Sequence, residues 1–148
     1  MCRAHATVRG FVGELVAQSG DARDVVLDME AGLEHFSRGT ARHVDGFLAV
    51  LEPYYRSMET VRRVADLATE LGVHHVHVVA NKVRDEGDRK AISEFCNARG
   101  LRILAEIPFD PVVLEAERAG KAPLDYRPES PAMTAVRTMA GVLYHELS

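Results

Sequence analysis

The stretch Asp24 to Gly32, DVVLDMEAG, decides how the chain is read: a short apolar run ends in Asp28, and Gly32 follows four residues later. An aspartate delivered by a buried strand can join the water shell of a magnesium ion, and a glycine just beyond it offers a bare backbone N–H to a terminal phosphate. That is half of a phosphate site. The other half is a glycine-rich loop with a lysine, G-x-x-x-x-G-K-[ST], which belongs upstream of the strand. No such pattern occurs among the 148 residues. The chain is therefore expected to be the back end of a nucleotide-binding domain.

Before that run, Val8, Phe11, Val12, Leu15 and Val16 recur at helical spacing between Arg3 and Ser19, and Gly20 is a natural stop. Four strand-like runs are Val25 to Asp28, Phe47 to Glu52, His75 to Asn81 and Arg102 to Pro108, all expected to be buried on both faces. Helical patterns separate them at Ser57 to Leu71, where Met58, Val61, Val64, Ala65 and Ala68 share a face, and at Glu86 to Arg99, stopped by Gly100. A short helix at Val112 to Ala119, a Pro-rich loop from Ala122 to Pro131 and a last helix over about Ala132 to Glu146 complete the pattern. Alternation of this kind predicts an α/β fold, a parallel sheet covered by helices, with ligands bound beyond the carboxyl ends of the strands. Those ends read Asp28, Glu52-Pro53, Asn81-Lys82 and Pro108-Phe109-Asp110.

Composition narrows the partners. With 47% hydrophobic and 27% charged residues, the chain fits one globular domain over residues 1–148 with a substantial core. A net charge of −4 gives no basic footprint for nucleic acid or an anionic membrane. Two distant cysteines, Cys2 and Cys96, and no apolar run near 18 residues predict a reducing cytoplasm and no membrane span.

In order, LDMEAGLEH (27–35), VLEPYYRS (50–57), VVANKVRDE (78–86) and EIPFD (106–110) resemble the later motifs of the MinD/ParA-like P-loop ATPases. Within that family they resemble the CooC-like branch, which serves nickel insertion into carbon monoxide dehydrogenase. The resemblance covers nearly the whole chain and implies a partial P-loop NTPase domain, of Rossmann-like three-layer type, without its Walker A segment. It implies that Asp28 is the switch aspartate holding magnesium through water, that the Gly32 N–H senses the terminal phosphate, and that Glu30 helps to position water. A turn or capping role for Asp28 is the alternative. Asn81 resembles the asparagine that reads adenine, which suits a carboxamide facing the purine N6 and N7 edge, and Lys82 would lay its stem along the base. An ordinary turn is the alternative there. Pro108 resembles a residue bordering the adenine; Asp110 either belongs to the same loop or caps the following helix, and both can hold together. Glu52-Pro53, with Arg56 and Ser57, resembles a turn opening a helix beside the nucleotide, with simple helix initiation as the weightier account.

At the N-terminus, the family's C-x-C pair would correspond here to Cys2 alone. With His5 three residues on, two copies of the chain could hold zinc or nickel at a dimer interface; a free terminal thiol is the competing account. His74, His75 and His77 are expected near a strand start rather than on a metal, and Cys96 as a small buried apolar residue. The resemblance places the missing P-loop strand between the strands ending at Asp28 and Glu52. Open edges there predict a homodimer, domain-swapped or otherwise intertwined. The implied cofactors are ATP or ADP with magnesium, the implied partner a metalloenzyme client, and hydrolysis is impaired without the phosphate cradle. A non-catalytic dimerising module derived from such an ATPase is the second reading. A receiver-like domain fits the length but lacks the acidic pair and lysine it would need.

Overall fold

The computed structural model describes residues 45–73 and 75–147, together with Val26 and Asp28. In chain order the elements are β1 (Phe47–Leu51), α1 (Tyr55–Leu71), β2 (Val76–Val83), α2 (Glu86–Asn97), β3 (Arg102–Pro108), α3 (Pro111–Arg118), α4 (Pro123–Tyr126) and α5 (Pro131–Leu147). The strands form a three-stranded sheet in the order β1-β2-β3, with β2 and β3 parallel. Two units are distinguished: Phe47 and Arg62–His75 belong to one, Leu48–Val61 and Val76–Ser148 to the other.

In the second unit the middle strand is buried as expected, with His77, Val78, Val79 and Ala80 all inaccessible. Helix α2 packs on β2 and β3, and α5 packs on β3. β1 departs from expectation. Ala49 and Leu51 are buried, but Leu48 is 39% and Val50 55% exposed. Among the described residues β1 ends the sheet, and a strand covered on one side alternates in burial. Val26, expected inside a buried strand, is 88% exposed and lies outside any strand. Val25 and Leu27 of that expected strand lie outside the described residues.

The helix ends follow local chemistry. Asp85 caps α2, its Oδ1 accepting from the Asp88 N–H at 2.9 Å, while Asp88 Oδ2 accepts from the Arg84 N–H at 2.9 Å. Arg89 forks onto Glu106, with Nε to Oε2 at 2.8 Å and Nη2 to Oε1 at 2.6 Å, joining α2 to β3. These bonds hold the Glu106 carboxyl below its ordinary range against the opposing effect of burial. Cys96 is buried as expected, and burial pushes its thiol up. Beyond α2, Gly100 adopts φ +63° while the Leu101 N–H donates to the Cys96 carbonyl at 3.0 Å. A Cβ at Gly100 meets nothing within 4 Å, so the cost of a side chain there is conformational. Gly100→Ala is expected to lower stability by about 1 kcal/mol, read as a shifted urea midpoint with an unchanged slope.

The loop expected from Ala122 to Pro131 contains a one-turn helix, Pro123–Tyr126. Proline at the first helical position starts this turn, because its missing N–H is one a helix leaves unsatisfied anyway.

Candidate functional site

The carboxyl ends of the three strands meet through specific bonds. Lys82 Nζ donates to Glu52 Oε1 at 2.9 Å, linking the tips of β2 and β1. Phe109 N–H donates to the Val83 carbonyl at 2.9 Å, linking β3 to β2. The Arg84 guanidinium lies 4.8 Å from the centre of the Phe109 ring, a cation–π contact at the same rim. Phe109 remains 48% exposed.

Glu52 is itself held in place. Its backbone N–H donates to Ser57 Oγ at 2.9 Å, and its carbonyl accepts from the Tyr54 N–H at 2.7 Å. The Ser57 and Met58 N–H groups turn back to the Tyr54 carbonyl, so α1 starts at Tyr55, two residues before the expected Ser57. Thus the turn at Glu52-Pro53 does initiate a helix, and it also presents a carboxylate to Lys82. That second use needs a partner 30 positions away, and no local pattern in the sequence signals it.

Asn81 and Lys82 occupy an irregularity in β2. Ala80 faces Glu106 and Val83 faces Pro108, so β2 carries one residue more than β3 between these pairs. Lys82 has φ +57° in that bulge. Asn81 is half-buried, and among the described residues its carboxamide makes no hydrogen bond. A carboxamide has both a donor and an acceptor, which is what the purine N6/N7 edge requires.

Asp110 plays a different part. Oδ1 accepts from the Val112 N–H at 3.0 Å and Oδ2 from the Ala132 N–H at 3.1 Å, so one carboxylate caps the starts of both α3 and α5. Burial by itself would raise its pKa, but the Ala132 and Val112 N–H groups, the Ser130 hydroxyl and the charge of Arg127 outweigh it and hold the carboxyl low. Each oxygen accepts a bond from a helix start, which is the capping account of Asp110, and its place just beyond β3 is the loop account.

The structure thus brings together Glu52, Pro53, Asn81, Lys82 and Pro108. Asp28 is exposed and belongs to the first unit. Glu30, Gly32, Cys2 and His5 lie outside the described residues. Among the described residues no group of three metal-binding side chains occurs, and no helix is long and apolar enough to cross a membrane.

No protein-family model matches the chain. It is 37% identical over 122 residues to an uncharacterized ATP-binding protein of Methanocaldococcus jannaschii, covering 82% of this chain and 46% of that protein. It is 35% identical over 128 residues to the carbon monoxide dehydrogenase accessory protein CooC of Rhodospirillum rubrum, covering 86% and 47%. The fold matches the MinD cell division protein of Aquifex aeolicus with a TM-score of 0.76 at 20% identity, over 95% of this chain and 61% of that one. The chain spans about half the length of the curated relatives it matches.

Proposed function

Because this chain belongs to the MinD/ParA-like family of P-loop ATP-binding proteins, among relatives that include CooC, we propose that the joined tips of β1, β2 and β3 form the base-facing side of an ATP site. The observation that carries this reading is the uncommitted, half-buried carboxamide of Asn81, set at a strand end between partners that are themselves fixed. Pro108 borders the same rim, and the Lys82 stem supplies apolar cover for a base. Magnesium, held through water by Asp28, would neutralise phosphate charge. Gly32 and Glu30 complete the phosphate side in this reading, as the family pattern implies.

Hydrolysis is a separate matter. Phosphoryl transfer depends on charge compensation by a glycine-rich loop and its lysine, and no G-x-x-x-x-G-K-[ST] pattern lies in these residues. Acting alone, the chain is proposed to bind nucleotide and to turn it over feebly or not at all. Similarity to the carbon monoxide dehydrogenase accessory protein CooC supports a role in maturing a nickel enzyme, with a metalloenzyme client; a zinc or nickel site shared by Cys2 and His5 of two copies belongs to the same reading, on the chemistry of thiolate and imidazole alone. The half-open face of β1, with Leu48 and Val50 exposed, supports a dimer in which that face is covered.

Calorimetric titration with ATP and magnesium tests the central claim. The parent is expected to show saturable binding, and Asn81→Ala to weaken it about tenfold, the effect of losing hydrogen bonds worth roughly 1.4 kcal/mol. Absence of saturable binding by the parent would leave the non-catalytic dimerising module as the surviving account.

A further inference from the structure

Among the described residues Lys82 is the one residue other than glycine with a positive φ, +57°. A lysine gains nothing intrinsically from this left-handed conformation, which persists only where the surroundings over-determine it. Two features do so here. The first is the bulge, in which β2 carries one residue more than β3 between Ala80 and Val83. The second is the 2.9 Å bond from Lys82 Nζ to Glu52, whose carboxylate side chain is only 24% exposed and whose backbone is pinned by Ser57.

A bulge does more than bend a strand. Side chains alternate with a period of two, so one extra residue shifts the phase and re-aims the side chain beside it. The face that Asn81 presents therefore depends on whether the bulge is formed. We infer that Glu52 is a positioning residue for base selection: through its ion pair it holds Lys82 in the left-handed bulge, and the bulge aims the Asn81 carboxamide at a purine. This rests on the reading of the strand tips as an ATP site and adds to it a control over which purine is preferred. Glu52 acts through Lys82 and contacts no base. The pair is partly exposed, with Lys82 51% accessible, so its hold is moderate and sensitive to salt.

The test compares ATP and GTP affinities, with magnesium, by calorimetry on the full chain. Glu52→Gln keeps shape and removes charge. It is expected to reduce the preference for ATP over GTP about threefold to fivefold, with a melting temperature close to the parent's. The decisive variant is Glu52→Gln combined with Lys82→Gly, because glycine takes up a positive φ without help. This double variant is expected to bind both nucleotides more weakly, since the lysine stem is gone, yet to recover the parental preference. A preference unchanged in Glu52→Gln overturns the inference. So does a loss that glycine at position 82 does not restore, because Glu52 or Lys82 would then be acting by direct contact. Lack of ATP binding by the parent is distinguishable from both and removes the site itself, and the inference with it.

Discussion

Asp110→Ala is expected to lower the stability of the fold by about 3 kcal/mol, combining two lost helix caps with backbone donors left unsatisfied in a buried place. One carboxylate accepts from Val112 at the start of α3 and from Ala132 at the start of α5. The residue is 9% exposed, so water cannot readily take its place. Proline precedes each bonded N–H, at Pro111 and Pro131, and cannot itself donate, which leaves the N–H groups of Val112 and Ala132 as the first donors of the two helices. Urea unfolding at neutral pH measures the loss, and a deficit below about 1 kcal/mol would contradict the double cap. The effect carries a pH signature. The folded carboxyl titrates below its unfolded value, because the Ala132, Val112 and Ser130 bonds and Arg127 overcome the upward push of burial. Its stabilisation is therefore complete above the unfolded pKa of about 3.9 and is lost as pH falls through the lower folded value. Parent and variant should draw together in stability on acidification, and a gap that stays constant down to full protonation would exclude the charged cap.

Leu51→Ala is expected to cost about 3 kcal/mol, within the range for deleting a fully buried leucine and leaving part of its cavity. Leu51 is 0% exposed at the end of β1 and immediately precedes Glu52. The same truncation should therefore loosen the anchor of the Glu52–Lys82 pair, so nucleotide affinity should fall together with stability in this variant. Chemical denaturation gives the first quantity and calorimetry below the unfolding transition the second. A loss under about 1 kcal/mol would mean that the site collapses around the smaller side chain, and the coupling to Glu52 would then lack its cause.

Much of this architecture is legible in the chain as text. The strand at Arg102–Pro108 has the bounds its pattern predicts, because a charged residue opens it and proline closes it. The apolar face of α1 is also as read, with Val61 and Ala68 buried and Met58, Val64 and Ala65 partly so. Elsewhere the boundaries moved for identifiable reasons. β2 runs past Asn81 to Val83 because the bulge lets the ladder resume after an interruption that looks, in sequence, like a polar stop. The four-residue helix at Pro123 hides among prolines that read as loop. The expectation of two buried faces holds for the middle of β2 and fails for β1, since apolar runs are buried or exposed according to their place in the sheet.

The residue types of the rim were equally legible, and their assignments were not. Glu52 and Pro108 stand at strand ends that periodicity alone can locate, and Asn81 at a polar break within a strand. That Asp110 ties two helices together turns on Ala132, 22 positions away. That Lys82 answers Glu52 turns on a contact spanning 30 positions.

By itself the sequence determined the order of strands and helices, the family resemblance and the chemical groups available at the strand tips, because periodicity, capping and turn preferences act between near neighbours. Only the tertiary structure decided which face of β1 is covered, that Asp110 caps two helices at once, and that Lys82 is bound in a left-handed bulge by Glu52. Those outcomes depend on hydrogen bonds and burial between residues distant along the chain, which form only when the sheet brings its strand ends side by side.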